Sequence, residues 1–252
     1  MCRVIVIMNQ KCGVGKTTTA VNLGHALALL GKKVTLLDMD PQGHIAISLG
    51  LKNDQGGLDR VLLKGESFDD YLMPARDNLD VVCAGNNLTD FERLALGGSS
   101  RGYRLRRAIE ASTLMACDFV LIDCPASSGL LGINAIFAAD ELLIPVSDDY
   151  LSLQGLSRIM QILKRSESVL GHSIRLWIVS TRMQLRRRLT AEVRLKILKY
   201  FPGRVLKTVI KENAVLAACP SLGKSVFEYE EMVTCAEDYQ SLAQDLLDGR
   251  TG

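Results

Sequence analysis

The sequence predicts an α/β fold, a mostly parallel, doubly wound sheet flanked by helices, and three observations carry that prediction. Seven apolar runs, at 3–8, 33–38, 79–83, 118–122, 141–146, 174–180 and 204–210, alternate with helical patterns at 17–30, 101–116, 129–138, 151–170, 189–200 and 237–247. Apolar residues make up 48% of the chain but aromatic ones only 5%, so the core should be aliphatic, as in sheets covered by helices. The first run is followed at once by a glycine-containing turn and then by a helix. A ligand on such a sheet is expected at the carboxyl ends of the strands.

A length of 252 residues is within reach of one large domain, and no repeat, low-complexity tract or linker interrupts it, so residues 1–252 are read as a single domain. The least regular part, about 50–100, holds Gly56-Gly57 and Gly97-Gly98-Ser99-Ser100, and short helices and loops are expected there. No run of about 18 apolar residues occurs, which argues against a spanning helix. Met1-Cys2-Arg3 runs straight into the first strand, so no leader is expected. The seven cysteines (2, 12, 83, 117, 124, 219, 235) are scattered and form no CxxC pair. That argues against a zinc site or a disulfide framework and for a reducing, cytoplasmic setting. Net charge is +2, yet Arg158 to Lys224 holds 15 of the 30 Lys+Arg and only 3 of the 28 Asp+Glu. Such asymmetry points to a basic face for a polyanion, with ordinary solvated helix faces as the plainer reading.

After the first run, Val4-Ile5-Val6-Ile7-Met8, comes Asn9-Gln10-Lys11-Cys12-Gly13-Val14-Gly15-Lys16-Thr17-Thr18. Strand, glycine loop, Lys-Thr and helix together are the context of a phosphate-binding P-loop. The two glycines let successive N–H groups curl inward onto phosphate oxygens, and the helix adds its positive N-terminal end. Lys16 then falls on the β/γ-phosphates and the Thr17 hydroxyl on Mg²⁺, with residues 11–18 forming the cradle for ATP.

The second run ends in Asp38-Met39-Asp40-Pro41-Gln42-Gly43. Carboxylates at i and i+2 on a strand end point the same way, placed either to hold a metal through water or to orient an attacking water. The fourth run ends in Asp123-Cys124-Pro125, an apolar strand closing on a carboxylate that suits Mg²⁺ held through water. Cys124 is expected to be a packed thiol. His25, His44 and His172 show no ligand spacing and are read as structural or surface groups.

These motifs, in this order, resemble the ParA/MinD family of deviant Walker A ATPases, whose loop reads Lys-Gly-Gly-Val-Gly-Lys-Thr-Thr. The resemblance runs from residue 3 to about 247 and implies a P-loop NTPase fold of the SIMIBI type. It implies that Lys11 reaches across an ATP-bound homodimer to the partner's nucleotide, that Asp40 positions the hydrolytic water, and that Asp38 and Asp123 lie near Mg²⁺. Lys11, Lys16 and Asp40 are thus the catalytic candidates. Cys12 stands where the family has glycine, near the dimer dyad, where a side chain either weakens the dimer or is tolerated. Ala126 replaces a proline, a small departure. Asp148-Asp149-Tyr150 through Leu156 resembles the family's entry into a helix of the dimer face, and also suits plain helix capping.

Arg182, Arg186, Arg187 and Arg188 lead into a helix with Arg194, Lys196 and Lys199. In the family an arginine at the position of Arg186 binds DNA without sequence readout, a salt-sensitive contact. Beyond Ile210 the family pattern Pro-Arg-Asn-Val-Arg becomes Lys211-Glu212-Asn213-Ala214-Val215. Asn213 is retained and is the candidate for adenine. Both arginines are lost, so DNA binding is expected to be weaker, or to rest on the 182–188 cluster with Lys211 and Lys224. The resemblance implies an ATPase that closes into a dimer on ATP, binds nonspecific double-stranded DNA of the nucleoid, and is released when a small adaptor or ParB-like partner stimulates hydrolysis. Its cargo would be a plasmid, a chromosome or a large protein assembly. A MinD-like membrane ATPase and a metabolic P-loop enzyme are the alternatives. The acidic C-terminal stretch, Glu237-Asp238 to Asp245 and Asp248, gives no membrane signal.

Overall fold

In chain order the elements are β1 (Arg3–Ile7), α1 (Lys16–Leu29), β2 (Val34–Asp38), α2 (His44–Ser48), α3 (Leu58–Lys64), β3 (Met73–Arg76), β4 (Leu79–Val82), α4 (Leu88–Arg93) and α5 (Arg104–Glu110). Then follow β5 (Phe119–Asp123), α6 (Leu130–Ala138), β6 (Glu141–Val146), α7 (Tyr150–Leu170), β7 (Arg175–Met183), α8 (Arg188–Tyr200), β8 (Val205–Lys211), α9 (Ala214–Ala218) and α10 (Thr234–Asp248). The computed structural model describes residues 2–52, 55–93, 99–127, 129–147, 150–184, 188–229 and 234–252, without the side chains of 99–100, 150–154 and 188–190.

The strands form one eight-stranded sheet in the order β3-β4-β2-β5-β1-β6-β7-β8, parallel except for β3, which runs antiparallel to β4. Every apolar run expected to be a strand forms one. Alternation along the central strands divides the core in two. Val4 and Val6 of β1, Leu37 of β2, and Val120 and Ile122 of β5 face a cluster shared with α3 to α8. Ile5, Ile7, Val34, Leu36, Phe119 and Leu121 face a second cluster built on α1, α2 and α10. Ile5 and Ile7 are fully buried, and truncating either to alanine should cost about 2–5 kcal/mol.

The chain passes from β1 through α1 to β2 and leaves room for β5 between them. Register then sets the site: Ile7 lies beside Asp123, and Asp123 beside Asp38. The end of β1, where the glycine loop begins, and the two acidic strand ends are therefore neighbours at the carboxyl edge of the sheet.

Two features differ from the sequence reading. Strand β3 was not expected, because Met73-Pro74-Ala75-Arg76 has no alternation and contains a proline. The antiparallel edge position tolerates that residue. The helix expected over 101–116 is broken into α5 and flanking 3-10 turns, with Ser112 capping the second turn by accepting from the Leu114 N–H. On the β8 edge, residues 250–252 fold back antiparallel. Thr251 bridges to Leu206, Lys207 N donates to the Arg250 carbonyl, and Gly252 N donates to that of Val205.

Candidate nucleotide-binding site

The loop between β1 and α1 is held from several sides. Asn9, almost fully buried, donates through Nδ2 to the Pro145 carbonyl at 2.7 Å and accepts the Lys11 N–H at 3.0 Å. Gly13 and Gly15 take φ of 73° and 86°, left-handed values that suit glycine and that curl the loop. Gly15 caps α1, and its carbonyl accepts the Thr19 N–H at 2.8 Å. From β7, Thr181 Oγ1 donates to the Val14 carbonyl and an Arg182 guanidinium nitrogen to that of Gly13, each at 2.8 Å. Lys16 is 9% exposed and folds onto the loop, its Nζ donating to the Lys11 carbonyl at 3.4 Å.

The acidic strand ends lie under the loop. Thr17 Oγ1 donates to Asp123 Oδ2 at 2.6 Å. Asp123 is fully buried, and its Oδ1 has no hydrogen-bond partner. Burial pushes the Asp123 carboxyl up to about 7, against the Thr17 hydrogen bond and the Lys16 charge. Asp38, also fully buried, accepts the Ile45 and Asp40 N–H groups at 3.0 and 3.1 Å. Its carboxyl is raised well above the ordinary range by burial first and by the Asp123 charge second. Asp40 is half-buried at the cleft wall, with Oδ1 accepting the Gln42 N–H at 3.0 Å.

These groups open on a cleft of about 660 Å³. Cys12, Gly13, Gly15, Lys16, Thr17 and Thr18 line one wall, and Asn213, Leu216 and Ala217 another. Asn213 caps α9, accepting the Val215 N–H at 2.9 Å. The loop, Asp40 and Asn213 thus converge on one space. Half-buried Lys11 belongs to the loop but is not among the residues lining the cleft. Cys12 is exposed, whereas Cys124 is fully buried and burial pushes its thiol up. His25 is buried on Ser225 at 2.6 Å, and His172 lies exposed. His44 is exposed on the cleft rim.

Of the described basic candidates, two are paired with carboxylates of the same chain. Arg182 is bound to the loop and pairs with Glu212 at 3.1 Å, and Lys211 pairs with Asp238 at 2.8 Å. Arg194 is half-buried, donating to Ser180 Oγ at 3.0 Å and to the Lys207 carbonyl at 3.3 Å. Lys224 is half-buried beyond α9. Arg186, Arg187 and the Arg188 side chain lie outside the described residues, as do Asp148 and Asp149. Sequence reasoning missed Asn9, Thr181 and the loop-facing place of Arg182. Their signal was slight, a polar residue at the end of an apolar strand.

A divalent cation suits the donor set. Asp123 Oδ1 is a buried acceptor with nothing to accept, and the Thr17 hydroxyl lies beside the same carboxylate, a hard oxygen pair of the kind Mg²⁺ takes with nucleotide phosphates.

Known proteins resemble this chain over nearly its whole length. The family described as "AAA domain" matches residues 2–176. The sporulation initiation inhibitor protein Soj of Bacillus subtilis is 38% identical over 250 residues, 98% of each chain. The chromosome partitioning protein ParA of Myxococcus xanthus is 35% identical, over 97% of this chain and 88% of that one. A structure from Mycobacterium smegmatis described as cobyrinic acid a,c-diamide synthase, with a bound ATP analogue and magnesium, superposes with a TM-score of 0.83 at 27% identity, covering 98% of this chain and 95% of that one. With a phosphate loop, two buried strand-end carboxylates and nearly full-length relatives at this identity, the chain belongs to the ParA/Soj family of P-loop ATPases.

Proposed function

We propose that this ATPase works as a nucleotide-driven switch that dimerises on ATP, binds nonspecific DNA, and lets go when a partner protein stimulates hydrolysis. The observation that carries the reading is the convergence of the Gly13–Thr18 loop, Asp40 and Asn213 on one cleft. Thr17 and Asp123 would hold Mg²⁺, which neutralises charge on the β- and γ-phosphates when bound. Lys16 leaves the Lys11 carbonyl for the phosphate oxygens. Asp40 orients a water in line with the γ-phosphorus. The water oxygen bonds to phosphorus as the bond to the ADP oxygen breaks, and a water proton is held at the Asp40 carboxylate. Lys11 crosses to the partner's nucleotide, and Asn213 meets the adenine edge. DNA contact falls to Arg186, Arg187 and Arg188, and to Lys224. The setting is the bacterial cytoplasm, on the nucleoid, and the cargo is DNA or a large protein assembly.

The test is sedimentation of the chain with ADP, and of Asp40→Ala with ATP, each with and without nonspecific DNA. The expected result is a dimer in ATP alone that moves onto DNA and is released by salt. ATP-bound protein that binds DNA no better than the ADP form would sink the reading. Two observations weigh against the membrane alternative. The apolar face of α10, with Tyr239, Leu242 and Leu246 buried, is occupied by the core, and no helix among the described residues is long and apolar enough to cross a membrane. A metabolic role has the name of the Mycobacterium smegmatis structure in its favour. Rapid ATP turnover without DNA or partner would favour it.

A further inference from the structure

Two consecutive carbonyls of the phosphate loop are held by two consecutive residues of β7. Arg182 takes the Gly13 oxygen and Thr181 the Val14 oxygen, each at 2.8 Å. A trans peptide points its C=O and the following N–H in opposite directions. Drawing the Gly13 and Val14 carbonyls toward β7 therefore turns the Val14 and Gly15 N–H groups away from β7, into the curl of the loop. Those are donors that a phosphate needs.

The clamp sits where β7 departs from regular pairing. Its register to β8 shifts between Ser180 and Met183, and Arg182 adopts φ of 53°. A left-handed φ is unfavourable for a residue with a Cβ, and a strand irregularity of this kind re-aims a side chain. The guanidinium also bridges to Glu212 at 3.1 Å, and Glu212 accepts from Gln184 Nε2 as well. Glu212 stands next to Asn213 on the far wall of the cleft. It occupies the place of an arginine in the family pattern.

The geometry points to Arg182 as a positioning residue for phosphate recognition: its guanidinium holds the Gly13 carbonyl outward, and Glu212 sets how firmly. The inference rests on the ATPase reading and deepens it. On this assignment Arg182 belongs to the nucleotide site rather than to the DNA-facing set. Glu212, by sharing the guanidinium, lowers the positive charge felt at the phosphates.

The experiment is binding of a fluorescent, non-hydrolysable ATP analogue with Mg²⁺ to the full chain and to Arg182→Gly, Arg182→Lys and Glu212→Gln, with melting temperatures and turnover in parallel. Arg182→Gly removes the guanidinium and relieves the left-handed φ, so its melting temperature should hold or rise while affinity falls about tenfold, the scale of a charge-assisted hydrogen bond. Arg182→Lys recovers part of the loss, since an ammonium reaches one acceptor but lacks the planar fork. Glu212→Gln tightens binding, roughly twofold to threefold, more so at low salt. In turnover the change lies in KM more than in kcat. Arg182→Gly binding within about twofold of the unaltered chain overturns the assignment. So does a loss of affinity that tracks a fall in melting temperature and that lysine does not recover. An unaltered chain that binds no analogue overturns the ATPase reading along with it.

Discussion

Thr17 Oγ1 donates a 2.6 Å hydrogen bond to Asp123 Oδ2, and Asp123 Oδ1 is left as the single fully buried side-chain oxygen or nitrogen among the described residues without a partner. Beside it Asp38 is buried as deeply, so two carboxyls lie together at the ends of neighbouring strands. Burial raises the folded pKa of both above the unfolded value. The folded state then binds more protons than the unfolded one from about pH 4 to about pH 7, and this pair's contribution to stability falls as pH rises through that window. Asp123→Asn should raise the melting temperature of the nucleotide-free protein near neutral pH and flatten its fall from about pH 5 to about pH 7 relative to the unaltered chain. The same change should reduce Mg²⁺-dependent hydrolysis by about a hundredfold or more. Thermal melts over pH, paired with turnover, check both signs.

Cys12 is the one exposed cysteine of the seven and lies on the cleft wall. It should be the first thiol to react with a disulfide reagent, with half-buried Cys117 next and the buried five slow. Mg·ATP should slow that reaction by about tenfold or more as the cleft fills and a dimer closes over it. Mass spectrometry of timed labelling reads this directly. Labelling of Cys12 that is indifferent to ATP would place it away from both nucleotide and dimer.

Asn213 caps α9 through its Oδ1 and lines the cleft. Asn213→Ala should cost about 1 kcal/mol of stability for the lost cap. It should also narrow the preference for ATP over GTP, whereas Asn213→Asp keeps the cap, loses the amide donor and adds a negative charge to the cleft wall. Competition binding with both nucleotides separates the two effects.

Arg194 sits in the basic segment yet spends its donors on Ser180 and the Lys207 carbonyl, and burial lowers its pKa. Arg194→Ala should destabilise the chain by about 1–2 kcal/mol and leave the salt dependence of DNA binding unchanged. Arg186→Ala should do the reverse, lowering the slope of log affinity against log salt by about 1 with little change in melting temperature. A salt titration of DNA binding for the two variants is decisive.

The sheet was legible because its central strands are buried on both faces and so appear as unbroken aliphatic runs. The end of each central run also carried the residues that meet at the carboxyl edge of the sheet: glycine and lysine after Ile7, Asp38 after Leu37, Asp123 after Ile122. Strand β3 was not legible, because an edge strand needs no apolar alternation and Pro74 disguised it. The charge pattern says less about individual cations than the structure does. A count over Arg158 to Lys224 sees fifteen cations but not that Arg182, Arg194 and Lys211 turn toward carbonyls and carboxylates of their own chain. Proximity between β7 and the β1–α1 loop is a product of strand order, which local sequence does not encode.

Residues 250–252, lying along β8, have one more consequence. An outer strand offers a row of unpaired amides and carbonyls to any extended chain that drifts past, and that row is how sheets add themselves to one another. Here the Val205 carbonyl and the Lys207 amide are already engaged by residues 250–252 of the same chain. Lateral growth from sheet edge to sheet edge is blocked along this stretch, and copies that come together are directed to other surfaces. Shortening the chain by those three residues would open a lateral seam, and light scattering of the shortened protein at high concentration would show whether it then polymerises.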